Sequence, residues 1–152
     1  MYNNSTAIGN VGETLALSEF SRRGITVLIP FGQNIPYNLA IEINGIFYRI
    51  QCNTTEKVHD NCKMVFNICR TNGFTGQHKP YSKDEIDFLF VHCIENGYIG
   101  LIPIEEANNQ RVIVIRTSPT KNKQKDGIRM MEDYELDFRL GTLGQLVRPP
   151  AS

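Results

Sequence analysis

The chain has 152 residues, 41% of them hydrophobic and 21% charged, with sixteen basic against sixteen acidic side chains. Such usage excludes intrinsic disorder, collagen-like repeats and coiled coil, and the length favours a single folded domain, 1–152, with a sizeable core. The best apolar run, 86–94, is far shorter than the roughly 18 residues a spanning helix needs, and the first twenty positions hold neither a basic n-region nor an apolar h-region, so a cytoplasmic protein without a membrane partner is expected.

A helix is predicted over 8–23, closed by Gly24 where a left-handed cap is common. Glu13 shares a stripe with Leu17 and Phe20. If that stripe is buried the carboxylate needs a partner or a metal, and at the stripe's edge it reaches water instead. Strands are predicted over 25–30, 37–43 and 46–53, the last two flanking Asn44-Gly45. That dipeptide between alternating apolar residues signals a two-residue hairpin, because a type I′ turn needs positive φ at both central positions. Ile43 then faces Ile46, Leu39 faces Ile50 and Asn38 faces Gln51. Leu39, Ile41, Ile43, Ile46, Tyr48 and Ile50 make one apolar face, and Asn38, Glu42, Arg49, Gln51 and Asn53 share the other.

Further strands are predicted over 63–69, 86–94, 98–102 and 111–116, with a second turn at Asn96-Gly97. The polar, glycine-bearing loop over 70–80 is a candidate contact loop. Ile128, Met131, Tyr134 and Phe138 recur at three and four and predict a helix over 127–138, after which Leu140, Leu143, Leu146 and Val147 are too apolar for a free tail. The charges are asymmetric along the chain: 84–106 carries six carboxylates and no Lys or Arg, whereas 111–129 carries six basic residues against Asp126. The basic run is either a phosphate-contacting strip or a solvated loop. Four cysteines without a Cys-x-x-Cys pair fit reduced thiols rather than zinc or a disulfide framework. His59 and His78 read as surface residues and His92 as a satisfied core or edge residue.

The order Gly12-Glu13, Pro36-Tyr37-Asn38, Gln51-Cys52-Asn53 resembles the PD-(D/E)XK nuclease fold, in which a helix supplies a Glu and adjacent strands supply an Asp and then Glu/Gln-x-Lys. Gly-x-Val-Gly-Glu in the helix, Arg23-Gly24 closing it, Ile86-Asp87 opening a later strand, Tyr98 with Ile102-Pro103, and Asp133-Tyr134-Glu135-Leu136 extend the likeness across 8–138. The chain is similar to the small group I intron homing endonucleases of this fold, of cyanobacterial type. The resemblance implies an α/β, restriction-endonuclease-like core: a mixed central sheet flanked by helices, with extended hairpins or loops reaching DNA. It implies site-specific double-strand DNA cleavage, Mg²⁺ as the cofactor, duplex DNA as the partner, and a homodimer or homotetramer, since two cuts need two sites.

On this resemblance Glu13, Asn38 and Gln51 occupy the metal-ligand positions, and with Asn53 the catalytic ones. Phosphodiester hydrolysis needs an activated water and counter-charge for the transition state, which oxygen-held Mg²⁺ and a lysine provide. Position 38 is Asn where the family has Asp, and position 53 is Asn where it has Lys. The expected cage loses one anion and the site its cation, so the chain is expected to be catalytically impaired. Phosphate and base contacts are expected from Lys63, Arg70, Gln77, His78, Lys79, Lys121, Lys123 and Lys125, with 117–152 as a DNA-contact and oligomerisation extension. A non-catalytic DNA-binding protein on a dead nuclease core, or a Holliday-junction-resolvase-like nuclease, are the rival readings. Without the resemblance, Gln51 and the two Asn residues read as polar strand residues facing water.

Overall fold

In the exposed turn between two strands, Asn44 and Gly45 adopt φ of 53° and 81°, the twist that a two-residue hairpin requires. The computed structural model describes residues 5–71, 76–107, 109–122 and 127–145. Strand β2 (Leu39–Ile43) folds back on β3 (Ile46–Thr55) in the expected register, with Ile43 opposite Ile46 and Leu39 opposite Ile50. The short strand β1 (Thr26–Leu28) pairs antiparallel with β2 and forms one edge of the sheet. On the other side of β3 the central sheet continues through β8 (Phe88–Cys93) and β9 (Ile99–Pro103), giving the order β1-β2-β3-β8-β9. The β3–β8 pair is parallel and the others antiparallel, so the sheet is mixed.

A parallel pair cannot be joined by a tight turn and needs a long crossover. Here that crossover is itself β-structure, β4 (Val58–His59), β5 (Lys63–Asn67), β6 (Cys69–Thr71) and β7 (His78–Pro80). Strands β4 and β5 join β10 (Val112–Arg116) and β11 (Arg129–Met130) in a second sheet of order β11-β10-β5-β4. The single strand predicted over 63–69 is therefore two strands, separated where the Ile68 N–H donates to the Arg111 carbonyl at 2.9 Å.

Helix α1 (Ser5–Arg22) covers one face of the central sheet and the second sheet covers the other. Strand β8 is buried along its whole length because both faces are covered. Its Phe88 and Phe90 pack with Ala16, Phe20, Ile41 and Ile50 on the helix side, while Leu89, Val91 and Cys93 meet Met64, Phe66, Ile113 and Ile115 between the sheets. The Phe20 and Phe90 rings lie 5.7 Å apart. Full burial of each such side chain contributes about 1.5–3 kcal/mol. His92 is buried in β8 with Nδ1 3.0 Å from the Tyr98 carbonyl, a satisfied core histidine.

The helix predicted over 127–138 is corrected. The segment forms β11, then α2 (Met131–Tyr134) and α3 (Leu136–Thr142), broken at Glu135. Glu135 is extended, at φ −55° and ψ 139°, bridges Gly100 beside β9, and caps α3 by accepting from the Phe138 N–H at 3.1 Å. The break rotates the apolar face: Leu136 and Leu140 are buried while Phe138 is 57% exposed. Part of the expected C-terminal extension thus belongs to the core; Leu146 and Val147 lie outside the described residues.

The buried stripe of α1 is Gly12, Ala16 and Phe20, one step round from the predicted stripe, and Leu17 and Glu13 are exposed. Gly12 is needed for close approach, because a Cβ there would stand 2.0 Å from Thr54 Oγ1 on β3. That hydroxyl is buried without a hydrogen-bond partner among the described residues. Gly12→Ala is expected to cost about 1–3 kcal/mol by overpacking, while Thr54→Ala, which removes an unpartnered polar atom, should be near neutral. In the double variant most of the Gly12→Ala cost should disappear. Urea denaturation of the four proteins measures this coupling, and additive effects would contradict the contact.

Candidate active site

The ladder between β2 and β3 stops at Leu39, and Asn38 lies in a bend before it. Its main-chain N–H donates to the Ile50 carbonyl at 2.9 Å. One step on, it is the Asn38 side chain that accepts, its Oδ1 taking the Cys52 N–H at 2.7 Å. A main-chain amide has only a donor to offer, so this bond fixes which end of the Asn38 amide faces β3. The Nδ2 end turns outward and donates to Glu13 Oε1 on α1. Glu13 and Asn38 are therefore in direct contact, across 25 positions of sequence. Glu13 is exposed and partnered at once, which joins the two alternatives left open by its position on the helix.

The remaining predicted residues are held elsewhere. Cys52 packs with the helix-side cluster, and burial together with the charge of Glu13 raises its thiol well above the ordinary value. Gln51 and Asn53 alternate with Cys52 and address the opposite face of β3. Gln51 Nε2 is 3.4 Å from the Cys52 carbonyl, and Asn53 Nδ2 donates to the Asn67 carbonyl on β5 at 2.6 Å. No hydrogen bond among the described residues joins either to Glu13 or Asn38. The bend at Asn38 is why: it carries that side chain off the face it would share with Gln51 in a regular ladder. Asn53 Oδ1 is buried and has no hydrogen-bond partner among the described residues.

Sequence reasoning missed two parts of this arrangement. The Cys52 N–H is a main-chain group, which no residue type announces. Arg49, read only as a polar strand residue, clamps the start of β8: its N–H and Nε both reach Asp87 Oδ2, at 2.7 and 3.0 Å, and its Nη1 donates to the Asp84 carbonyl at 2.6 Å. The Asp87 N–H answers with a bond to the Arg49 carbonyl at 2.9 Å. The ion pair raises the Arg49 pKa further. Ile86-Asp87 was a visible signal, but its partner could not be read from it.

Of the expected DNA contacts, Gln77, His78 and Lys79 are exposed at the β6–β7 pair, where Arg70 lies opposite Lys79, and Lys121 is exposed. Arg70 is engaged within the molecule, donating to Glu85 at 2.8 Å and to the Asn34 carbonyl at 3.1 Å. Lys63 is on β5, its Nζ 3.8 Å from Asp60. Lys123 and Lys125 lie outside the described residues.

A PD-(D/E)XK endonuclease family profile matches residues 3–137. The chain belongs to the PD-(D/E)XK endonucleases. Among solved structures it is similar to the bacterial homing endonuclease I-Ssp6803I, with a TM-score of 0.72 and 19% identity over 93% of this chain and 95% of that one. The likeness establishes a shared restriction-endonuclease-like fold. A comparison with curated proteins finds no match. No described helix is long and apolar enough to cross a membrane.

Nucleases of this family generally use divalent metals, which bind through oxygen. The residues present here do not fit such an ion. Asn38 spends its oxygen on the Cys52 N–H and turns a donor toward Glu13, and no group of three or more His, Cys, Asp or Glu converges among the described residues. The amide N–H stands against the carboxylate where a cation would be required to hold two carboxylates together. Asn38→Asp would keep the bond to Cys52 with one oxygen and set the other against Glu13. That variant is expected to lose on the order of 1 kcal/mol in EDTA, the scale of a solvent-screened like-charge contact. Mg²⁺ should restore its melting temperature while leaving that of the parent unchanged. Thermal melts in EDTA and in Mg²⁺ check this, and equal metal response in both proteins would contradict the geometry.

Proposed function

We propose that this chain is a site-specific double-strand DNA endonuclease of the intron-homing type whose cleavage activity is impaired by Asn38 and Asn53. The observation that carries the reading is the Glu13–Asn38 contact, in which an amide donor occupies the place of a ligand oxygen at the end of the β2–β3 hairpin. Asn53 supports it independently. Its Nδ2 has an acceptor in the Asn67 carbonyl, but its Oδ1 is buried with no donor among the described residues. A donor-only side chain suits that position better, and lysine is the donor-only residue of the family pattern.

Glu13, Asn38 and Gln51 are the proposed metal-ligand positions and Asn53 the position of the missing ammonium. A site with the family's residues would draw on Mg²⁺; at these four positions this chain retains one carboxylate, Glu13, and no cation. Duplex DNA is the proposed partner, bound in the cytoplasm by a homodimer or homotetramer. Ile29 and Phe31, 64% and 104% exposed just past edge strand β1, support self-association. The same Asn38 geometry favours one second reading, a DNA-binding protein on a nuclease core that no longer cuts.

Loss of one electrostatic stabiliser typically lowers a rate by about 10²–10³, and two that act together need not add. Asn38→Asp with Asn53→Lys should therefore restore Mg²⁺-dependent double-strand cleavage, each single reversion should recover little, and Glu13→Gln in the double revertant should abolish it. Supercoiled and linear DNA libraries digested with parent and revertants give the readout. Vigorous cutting by the parent would contradict the impairment. A revertant that binds duplex DNA without cutting it would favour the second reading.

A further inference from the structure

The arginines of the described residues fall into two groups. Arg22, Arg23, Arg49, Arg70 and Arg139 each pair with a carboxylate within the molecule. Arg111, Arg116 and Arg129 have no carboxylate partner among the described residues, and all three lie on or beside β10 and β11. Among the described residues Arg116 donates to neutral acceptors, the Ser118 carbonyl at 3.0 Å and Cys62 Sγ at 3.4 Å. Arg129 donates to the Glu106 carbonyl at 2.6 Å and to Gln110 Oε1 at 3.2 Å. Among the described residues no carboxylate neutralises these three charges.

The register of β5 on β10 sets Lys63 beside Arg116, Val65 beside Val114 and Asn67 beside Val112. The intervening residues Met64, Phe66, Ile113 and Ile115 are buried against the central sheet, so these six side chains form the outer face. Val112 is 46% exposed there. A groove of about 410 Å³ runs along this face, lined by Lys63, Val112, Val114 and Arg116 and, across from them, by Ile128 and Arg129. No carboxylate lines it among the described residues, and the nearest to Lys63 is Asp60 at 3.8 Å.

We propose that the outer face of the β5–β10 ribbon is the surface that enters the major groove of duplex DNA. Over 65–67 and 112–114, beyond the reach of β4 and β11, the ribbon is two strands about 5 Å apart, which with their side chains fit a groove about 12 Å wide. Lys63 and Arg116 hold phosphates at one end. Val65 and Val114 meet thymine methyl groups, and Asn67 offers the paired donor and acceptor that suit adenine. Asn67 is also the residue whose carbonyl holds Asn53, so the far end of the ribbon, about 13 Å from Lys63 at strand rise, is tied to β3. The proposal rests on the DNA reading above and names the surface that it leaves open.

The test is binding of the full chain to a fluorescein-labelled 40-bp duplex of random sequence, titrated over a range of salt. Lys63→Gln with Arg116→Gln should weaken binding at least tenfold at low salt and lower the log–log salt slope by about 2, each single variant lowering it by about 1. Arg22→Ala with Lys83→Ala, two cationic side chains elsewhere on the surface, should change neither. Selection from a random duplex library should return the parent's preferred sequence for the glutamine variants and an altered one for Asn67→Ala with Val114→Ala. Unchanged affinity and slope in the glutamine variants, with circular dichroism showing them folded, would overturn the ribbon alone. Failure of the unaltered chain to bind any duplex at low salt would overturn the ribbon together with the DNA reading.

Discussion

The Asn44-Gly45 turn is the constraint on which the rest of this molecule hangs. Once both residues take positive φ, the pairing of β2 with β3 has no freedom to slip, because a one-residue shift would send Leu39, Ile41 and Ile50 out of the core. In that register the ladder stops at Leu39, where Asn38 bends away, and the Cys52 N–H beyond it must find an acceptor. Asn38 supplies that acceptor from its side chain, and the contact with Glu13 follows. A turn at one end of the hairpin thereby decides the chemistry at the other.

Strand β3 is shared between two environments, and its residues divide accordingly. Ile50, Cys52 and Thr54 face α1, which can come close only because Gly12 carries no side chain. Gln51 and Asn53 face the second sheet, and Asn53 is tied to the backbone of β5. A catalytic centre drawing on both faces has to be assembled at the strand's margin, where the hairpin opens. There the present residues offer hydrogen bonds among themselves in place of ligands to an ion.

Arginine has two distinct uses here. Arg23, paired with Glu19 and Asp137 at 2.6 Å each, ties α1 to α3, and the Asp137 bond raises its pKa. Arg49 does the same between β3 and the start of β8. In both cases the guanidinium fork meets a planar carboxylate, a geometry lysine does not reproduce. The cations of β10 and β11 have no such counterpart among the described residues. A chain of balanced overall charge can therefore still present a basic surface, since its acidic side chains are in part consumed by the framework.

Much of this could be read from the chain alone. Asn44-Gly45 determined the hairpin and its register, because turn chemistry and alternation are local. The amphipathic run before Gly24 determined α1 to within a few residues, and the order of Glu13, Asn38, Gln51 and Asn53 pointed to the family. Tertiary structure alone decided the rest. The second sheet depends on pairing β5 with β10, whose residues lie far apart in sequence, and alternating apolar runs do not name their partners. Period-three spacing over 127–138 gave no warning that Glu135 would turn extended to bridge Gly100. Nor could residue types show that Arg70 is claimed by Glu85, or that the Asn38 amide is oriented by a backbone N–H fourteen positions away. Local conformation is written in neighbouring side chains; the pairing of polar groups is settled only when distant backbone arrives beside them.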